Sequence, residues 1–284
     1  MLDEPLVGAH VSISGGLEMA LLRGSKAGCR TIQLFTKSPN RWKERYLEES
    51  EKEQFISLSK QLDITPIISH SSYLINIASP DCRLYGKSLD ALVCEMKRCE
   101  ELGIDYLVMH PGSHRGSGEQ RGIERISEAL NEIHQRTEGY RVKIAVENTA
   151  GQGTVLGHRM GHIGRIFEGV RERSRLAFCL DTCHIFAAGY DIREEVGYTR
   201  LFEDINDCIG LENLKIIHMN DSGRECGSHI DRHEDIGKGK IGEIPFMWIM
   251  NDERFQKVPK IIETPERSDR HNLQLLKKFV TSSH

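Results

Sequence analysis

Six short segments of this chain each end an apolar run in a side chain able to bind a metal ion. They are IISHSS with His70, LVMHPG with His110, IAVENT with Glu147, AFCLDTCH with Asp181, IIHMND with His218 and KIIETP with Glu263. One acid or imidazole behind an apolar run carries little information. A structural salt bridge can satisfy it, and most of the thirteen histidines are expected at the surface or hydrogen-bonded in the core. Three acids and three histidines in the same relation to successive runs are a different matter. Buried carboxylates without partners are costly and repel one another, and divalent cations turn that cost into a gain.

The donor set is imidazole and carboxylate without thiolate, which suits zinc or manganese rather than a cysteine-type structural zinc site. Glu147 lies on the segment between those carrying His110 and Asp181, so it is the natural bridge between two ions. His70 and His110 would complete one side, and Asp181, His218 and Glu263 the other. A third group lies outside this ring. DTCH places His184 three residues after Asp181, in a loop. DRH places Asp231 and His233 two apart, and in an extended segment such residues face the same way. His229, two before Asp231, is a rival by the same geometry. Cys183 sits inside a ligand-rich stretch, where carboxylate and imidazole already suffice. His10, His114, His158 and His162 are read as supporting or surface residues with no ligand role.

These six positions recur at roughly 35 to 45 residues, the repeat of a barrel in which every strand is followed by a helix. The strands that must carry them read LVGAHVS, TIQLFT, ITPIISH, YLVMH, KIAVEN, LAFCLD, LKIIHMN and KVPKIIET. Eight parallel strands of this kind close a (β/α)8 TIM barrel. Helical patterns fall between them, among them 16–27, 47–62, 84–102, 123–137 and 161–171. In the third, Leu89, Leu92, Val93, Met96 and Cys99 form one apolar stripe. The segments after the strands are long and Gly-rich: FTKSPNRWKERY, SSYLINIASP, PGSHRGSGEQ, NTAGQGTVLGH, TCHIFAAGYD and NDSGRECGSHIDRHEDIGKGKIG. All belong to the rim where such barrels carry their chemistry. An open doubly wound sheet would show a GxGxxG turn after its first strand, and GAHVSISGG does not fit that spacing.

The chain has 284 residues, about the size of one such barrel, and is read as a single catalytic domain over 1–284. No basic and apolar leader opens it and no apolar run approaches a membrane span. Its eight cysteines are scattered without a CxxC pair, which suits reduced thiols and a cytoplasmic protein. The net charge of −4 alone argues against a nucleic-acid binder. A whole-chain count hides a local field, however, and bound cations would create one at the rim.

On these residues the chain resembles the endonuclease IV family of DNA-repair enzymes. The resemblance runs nearly end to end, through GAHVSISGG, QLFTKSPNRW, HSSYLINIASP, HPGS, VENTAGQGT, LDTCHIFAAGYD, HMNDS, DRHEDIGKGKIG and IIETP. It implies a zinc-dependent hydrolase that cuts the phosphodiester 5′ to an abasic site in base excision repair. Three Zn2+ ions are implied, with Mn2+ an alternative at some sites. His70, His110 and Glu147 match the first site. Glu147, Asp181, His218 and Glu263 match the second, and His184, Asp231 and His233 the third, which selects His233 over His229. Glu147 and Glu263 are the implied catalytic carboxylates, acting on metal-activated water. The implied partner is double-stranded DNA with an abasic site or a blocked 3′ end, bent and with its lesion extruded. Tyr73 matches a side chain that enters the base stack. Lys37, Arg41 and Trp42 of FTKSPNRW match a recognition loop on the same face. A monomer without membrane association is expected.

Two other readings share the residues. Sugar isomerases and epimerases place one or two divalent metals in such barrels, but a small sugar needs neither a third ligand group nor the FTKSPNRW loop. A metal-bearing barrel that only binds damaged DNA would require a disabled ligand set, and none is evident.

Overall fold

The computed structural model describes residues 4–43, 45–264 and 268–280. Glu44 of FTKSPNRWKERY, Pro265 of IIETP and both ends of the expected domain lie outside the described residues. The strands are β1 (Val7–His10), β2 (Thr31–Leu34), β3 (Ile67–His70), β4 (Tyr106–Met109), β5 (Lys143–Glu147), β6 (Leu176–Asp181), β7 (Leu214–His218), β8 (Asp221–Ser222), β9 (His233–Glu234) and β10 (Lys260–Ile262). The helices are α1 (Leu17–Ala27), α2 (Glu49–Gln61), α3 (Cys82–Leu102), α4 (Glu119–Arg136), α5 (Met160–Gly169), α6 (Thr182–Ala187), α7 (Glu195–Ile209), α8 (Glu243–Asn251) and α9 (Asp269–Phe279). β1 to β7 and β10 form a closed parallel barrel in the order β1-β10-β7-β6-β5-β4-β3-β2. These are the eight strands expected from the sequence. β8 and β9 make a separate antiparallel pair after β7. Among the described residues no helix is long and apolar enough to cross a membrane.

Side chains alternate inward and outward along each barrel strand. The outward set packs under the helices in one large core that includes Ile32, Leu107, Ile144, Phe178 and Ile217. The inward set forms a second, smaller core of Ile68, Val108, Ala145, Ala177, Cys179, Ile216 and Ile261. β1 contributes Gly8 where its neighbour comes closest: a Cβ there would lie 1.7 Å from the Thr31 carbonyl oxygen, so only glycine fits.

Local signals set the helix ends. Asp81 caps α3 by accepting from the amides of Arg83 and Leu84 at 2.9 and 3.0 Å. Gly103 ends it in the left-handed conformation with φ of 67°. Of the α3 stripe, Leu89, Leu92, Met96 and Cys99 are buried and Val93 is half-buried. TCHIFA, read from sequence as loop, forms α6, with Asp181 as its cap accepting from the His184 amide at 2.7 Å. Its six residues are too few for periodicity to reveal. All eight cysteines are free thiols.

Candidate metal centre

The inner layers of the barrel place the ligand-type residues. Ile68, Val108, Ala145, Cys179, Ile216 and Ile261 line the interior. Two residues further along the same strands come His70, His110, Glu147, Asp181, His218 and Glu263. With a side-chain period of two, they must form the next layer, at the C-terminal mouth. The floor of this layer is fully buried: Glu147, Asp181 and His218 are each 0 % exposed. Above it opens a cavity of about 370 Å³ lined by His10, Phe35, His70, Tyr73, His110, His184, Asp231, His233, Glu263 and Thr264.

Glu147 is the hub. Its Oε2 lies 3.2 Å from His70 Nε2 and 3.1 Å from His110 Nε2. Its Oε1 lies 3.0 Å from His218 Nδ1 and 3.3 Å from His184 Nδ1. His218 Nδ1 also faces Glu263 Oε2 at 3.3 Å and Asp181 Oδ2 at 3.7 Å. The third group meets beside it. Asp231 stands between His184 Nε2 at 3.2 Å and His233 Nε2 at 3.3 Å. All nine residues singled out from the sequence therefore converge on one mouth. His229 turns away, with its Nδ1 2.8 Å from the Ala150 carbonyl oxygen.

The donor chemistry fits divalent ions. A metal-binding histidine usually donates its second ring N–H to an oxygen, which fixes the tautomer. His70 Nδ1 faces the Ser71 carbonyl at 2.8 Å, and His184 Nδ1 faces the Asn148 carbonyl at 3.0 Å. His218 Nε2 faces Gln33 Oε1 at 2.8 Å, and His233 Nδ1 faces the Glu263 carbonyl at 3.3 Å. His233 Nε2 is buried and faces the carboxylates of Asp231 and Asp181 at 3.3 and 3.7 Å without hydrogen-bond geometry to either. Buried polar atoms are rarely left so, and an ion would satisfy this one. Cys179 and Cys183 also lie close to the cluster, but burial pushes both thiols up to about 12.

Electrostatics bind the acids and imidazoles together. Burial alone would raise the Glu147 carboxyl, but His218, His110 and His184 hold it well below the usual carboxylate range. Glu263 is held down in the same way, against its own burial, by His218 and His10. Burial opposes a proton on His184, yet Asp181, Asp231 and Glu147 raise its pKa well above the ordinary value. His218 is raised likewise against burial, with Cys179, Glu263 and Glu147 beside it. Protons and divalent cations would compete for these same ring nitrogens and carboxylate oxygens.

Three supporting residues were not among the sequence candidates. Gln33 is fully buried; it donates to Glu263 Oε1 at 2.6 Å and accepts from His218. Asn148 accepts from the Asp181 amide at 2.7 Å, and Asn220 donates to Asp181 Oδ2 at 2.6 Å. The signal for Gln33 was the alternation itself: it follows Thr31 on β2 as His10 follows Gly8 on β1, and His10 and Gln33 are register partners. His10, given no ligand role, lines the cavity, 3.6 Å from Glu263 Oε1.

The residues matched to duplex contact divide. Tyr73 stands at the cavity mouth, 66 % exposed, its ring edge-on to Phe35 at 5.3 Å. Arg41 is exposed and Trp42 half-buried. Lys37 is turned inward: its ammonium lies 3.0 Å from Glu95 Oε1 and donates to the Arg41 carbonyl at 2.7 Å. Its charge is therefore held beneath the rim rather than displayed on it. The sequence hid this because Glu95 belongs to a helix far along the chain.

A further group, Glu119, His158 and His162, brings ligand-type atoms together on the rim. The Gly157 amide donates to His162 Nδ1 at 3.3 Å, so the ring proton sits on Nε2 and faces Glu119 Oε2 at 3.3 Å. Arg159 neutralises the same oxygen at 3.5 Å.

Known proteins resemble this chain over nearly its whole length. A family model described as a xylose isomerase-like TIM barrel matches residues 21–279. A protein from Citrifermentans bemidjiense named probable endonuclease 4 is 44 % identical over 279 residues, 97 % of this chain and 99 % of its own. Its namesake from Geotalea daltonii is 46 % identical over 96 % of this chain and 98 % of its own. The crystal structure of endonuclease IV from Thermus thermophilus superposes with a TM-score of 0.87 at 32 % identity, covering 97 % of this chain and 98 % of that one.

Proposed function

The chain belongs to the endonuclease IV family, and from that premise we propose that it is a DNA-repair endonuclease acting at abasic sites in duplex DNA. It would hydrolyse the phosphodiester on the 5′ side of the abasic sugar, leaving a 3′-hydroxyl and a 5′-deoxyribose phosphate. Removal of blocking groups from 3′ ends is the same reaction on a second substrate. The whole activity is assigned to one catalytic domain over residues 1–284, acting as a monomer. The observation that carries this reading is the convergence of nine imidazole and carboxylate side chains around Glu147 and Asp231 at one mouth.

Three zinc ions, with manganese an alternative, suit this donor set. His70, His110 and Glu147 would hold one. Glu147, Asp181, His218 and Glu263 would hold the second, and His184, Asp231 and His233 the third. When bound, such ions lower the pKa of water toward about 7 and neutralise charge developing on a phosphate.

The protein side of the reaction follows from burial. Glu263 lines the cavity and Glu147 lies beneath it, so Glu263 is the carboxylate able to meet an incoming water. Its Oε1 accepts from Gln33 at 2.6 Å and its Oε2 faces His218 Nδ1 at 3.3 Å and Asn220 Nδ2 at 3.4 Å, so the carboxylate is held where it would orient the attacking water and receive its proton. The water oxygen bonds to phosphorus, the P–O3′ bond breaks, and the departing oxygen takes up a proton from solvent and ends as the 3′-hydroxyl. Glu147 fixes the positions of four histidines around that point.

Selectivity follows from volume and extrusion cost. A cavity of about 370 Å³ is at the low end of the roughly 300–1,000 Å³ that enclose small ligands, and suits one sugar phosphate without a base. An abasic nucleotide also has no stack or pair to lose on leaving the duplex. Tyr73, Arg41 and Trp42 are assigned to the duplex face, with Tyr73 filling the space beside the lesion. Assaying a duplex with one abasic site beside a panel of ketoses tests the reading: strand cleavage with no sugar conversion supports it, and the reverse assigns the barrel to sugar isomerisation.

A further inference from the structure

Two rim segments frame the cavity: the one after β2, with Arg41 and Trp42, and the one after β3, with Tyr73. Both are irregular backbone; Ile77 and Ala78 anchor the far end of the second in the core, while the parts nearest the cavity are polar. What holds them lies on α3. Glu95, 1 % exposed, pairs with Lys37, 4 % exposed. Lys37 in turn holds the Arg41 carbonyl, closing the turn in which the Arg41 amide meets Ser38 O at 3.2 Å. The same Glu95 carboxylate accepts from the Ser72 amide, directly before Tyr73, at 3.2 and 3.4 Å to its two oxygens. Ser72 Oγ reaches back to the Pro39 carbonyl at 2.5 Å. One turn further along α3, Arg98 donates to the carbonyls of Thr36 and Arg45 at 2.5 and 2.9 Å, holding both ends of the first segment.

A buried ion pair is a poor source of stability, because desolvation offsets its attraction and apolar side chains of similar size serve as well. What this pair supplies is direction. Each charge is completed by a backbone group of a different rim segment, so the pair makes the position of one depend on the other. We infer that the Glu95–Lys37 pair is a positioning device that sets Tyr73 and the Arg41–Trp42 turn at a fixed separation, and thereby the fit of the abasic duplex. Lys37 then acts through the turn it closes rather than by touching the duplex. This inference rests on the DNA-binding reading of the site and adds the residues that pre-organise it; a site too loosely held loses affinity although every contacting side chain is present.

The test exchanges both charges together, Lys37→Met with Glu95→Leu, which avoids leaving one charge buried and alone. The full-length, metal-loaded protein is measured for metal content, for affinity toward an abasic and an intact duplex, for kcat and KM, and for amide exchange across 36–45 and 71–76. The inference expects unchanged metal content, faster exchange in both segments, and an abasic-duplex Kd raised between about ten- and a hundredfold, with a much smaller change in kcat. In a Tyr73→Ala background the same double exchange should cost less affinity than in the wild type, because both act on one contact. Lys37→Arg, which keeps the pair, should retain most of the affinity. Unchanged exchange, or loosened segments with wild-type affinity, overturns the inference, and so does loss of metal. Should the double variant not fold, Ser72→Ala cuts only the link to Pro39; a smaller loss in the same direction supports the inference, and wild-type affinity and exchange overturn it. A wild-type protein that does not prefer the abasic duplex would instead sink the functional reading, while amide exchange still reports whether the pair holds the two segments.

Discussion

His218 gives its Nε2–H to Gln33 Oε1 at 2.8 Å and thereby turns Nδ1 toward Glu147, Glu263 and Asp181. Gln33 also holds Glu263 through its amide nitrogen. One buried amide therefore orients two side chains assigned to the same ion. Outer partners of this kind typically change metal affinity by about 10- to 100-fold when removed. Gln33→Ala is expected to weaken one ion by that factor, read by competition with a graded series of chelators. Gln33→Glu would face Glu263 with a second acid and should weaken it further.

Glu147 touches four histidines and lines none of the cavity. Glu147→Gln keeps the shape and removes the charge that holds the cluster together. Cleavage of an abasic duplex should fall by at least about 10²-fold, the scale of removing one preorganised electrostatic group. Duplex affinity should fall far less. Turnover at the wild-type rate in metal-free Glu147→Gln protein would remove the hub role.

Tyr73 is exposed at the mouth, and its ring contacts are with Phe35 and with His70 at a centroid distance of 6.3 Å. Tyr73→Ala should weaken binding to abasic duplex about tenfold or more, the scale of one lost aromatic stack. Metal content should stay unchanged, which elemental analysis checks. Loss of an ion would instead make Tyr73 a support of His70.

Away from the site, His134 on α4 is buried with neither ring nitrogen hydrogen-bonded. Burial, with Arg175 nearby, lowers its pKa to about 4. The unfolded chain takes up that proton at about 6.5, so between these values it binds the proton and the folded state does not. Stability contributed by the neutral form is complete above about 6.5 and lost as pH falls toward 4. The loss is roughly 2 kcal/mol, allowing for solvent screening. Urea unfolding at pH 7 and pH 4.5 should show a smaller pH difference for His134→Leu than for the wild type. Equal differences would contradict it.

The barrel and the ring of ligands were legible because the two periods that define them are short. Alternation along a strand and recurrence of the strand-helix unit are both visible in IISH, LVMH, IAVE, FCLD, IIH and IIE. The same alternation pointed to Gln33 and His10, but an amide does not announce itself as part of a charged cluster, and His10 closes a short run, LVGA, that Gly8 interrupts. α6 escaped because one and a half turns leave no period to read. Lys37 escaped for a different reason. A lysine in a polar loop reads as solvent-facing, and only tertiary structure brings Glu95 beneath it.

The central claim is that ions held by these nine side chains are required to cut DNA at an abasic site. It is tested most directly by elemental analysis of the purified protein together with cleavage of a duplex carrying one abasic site, before chelation, after chelation and after zinc is returned. The account predicts about three ions per chain, cleavage lost on chelation and restored by zinc. Full cleavage by protein that contains no metal would contradict it.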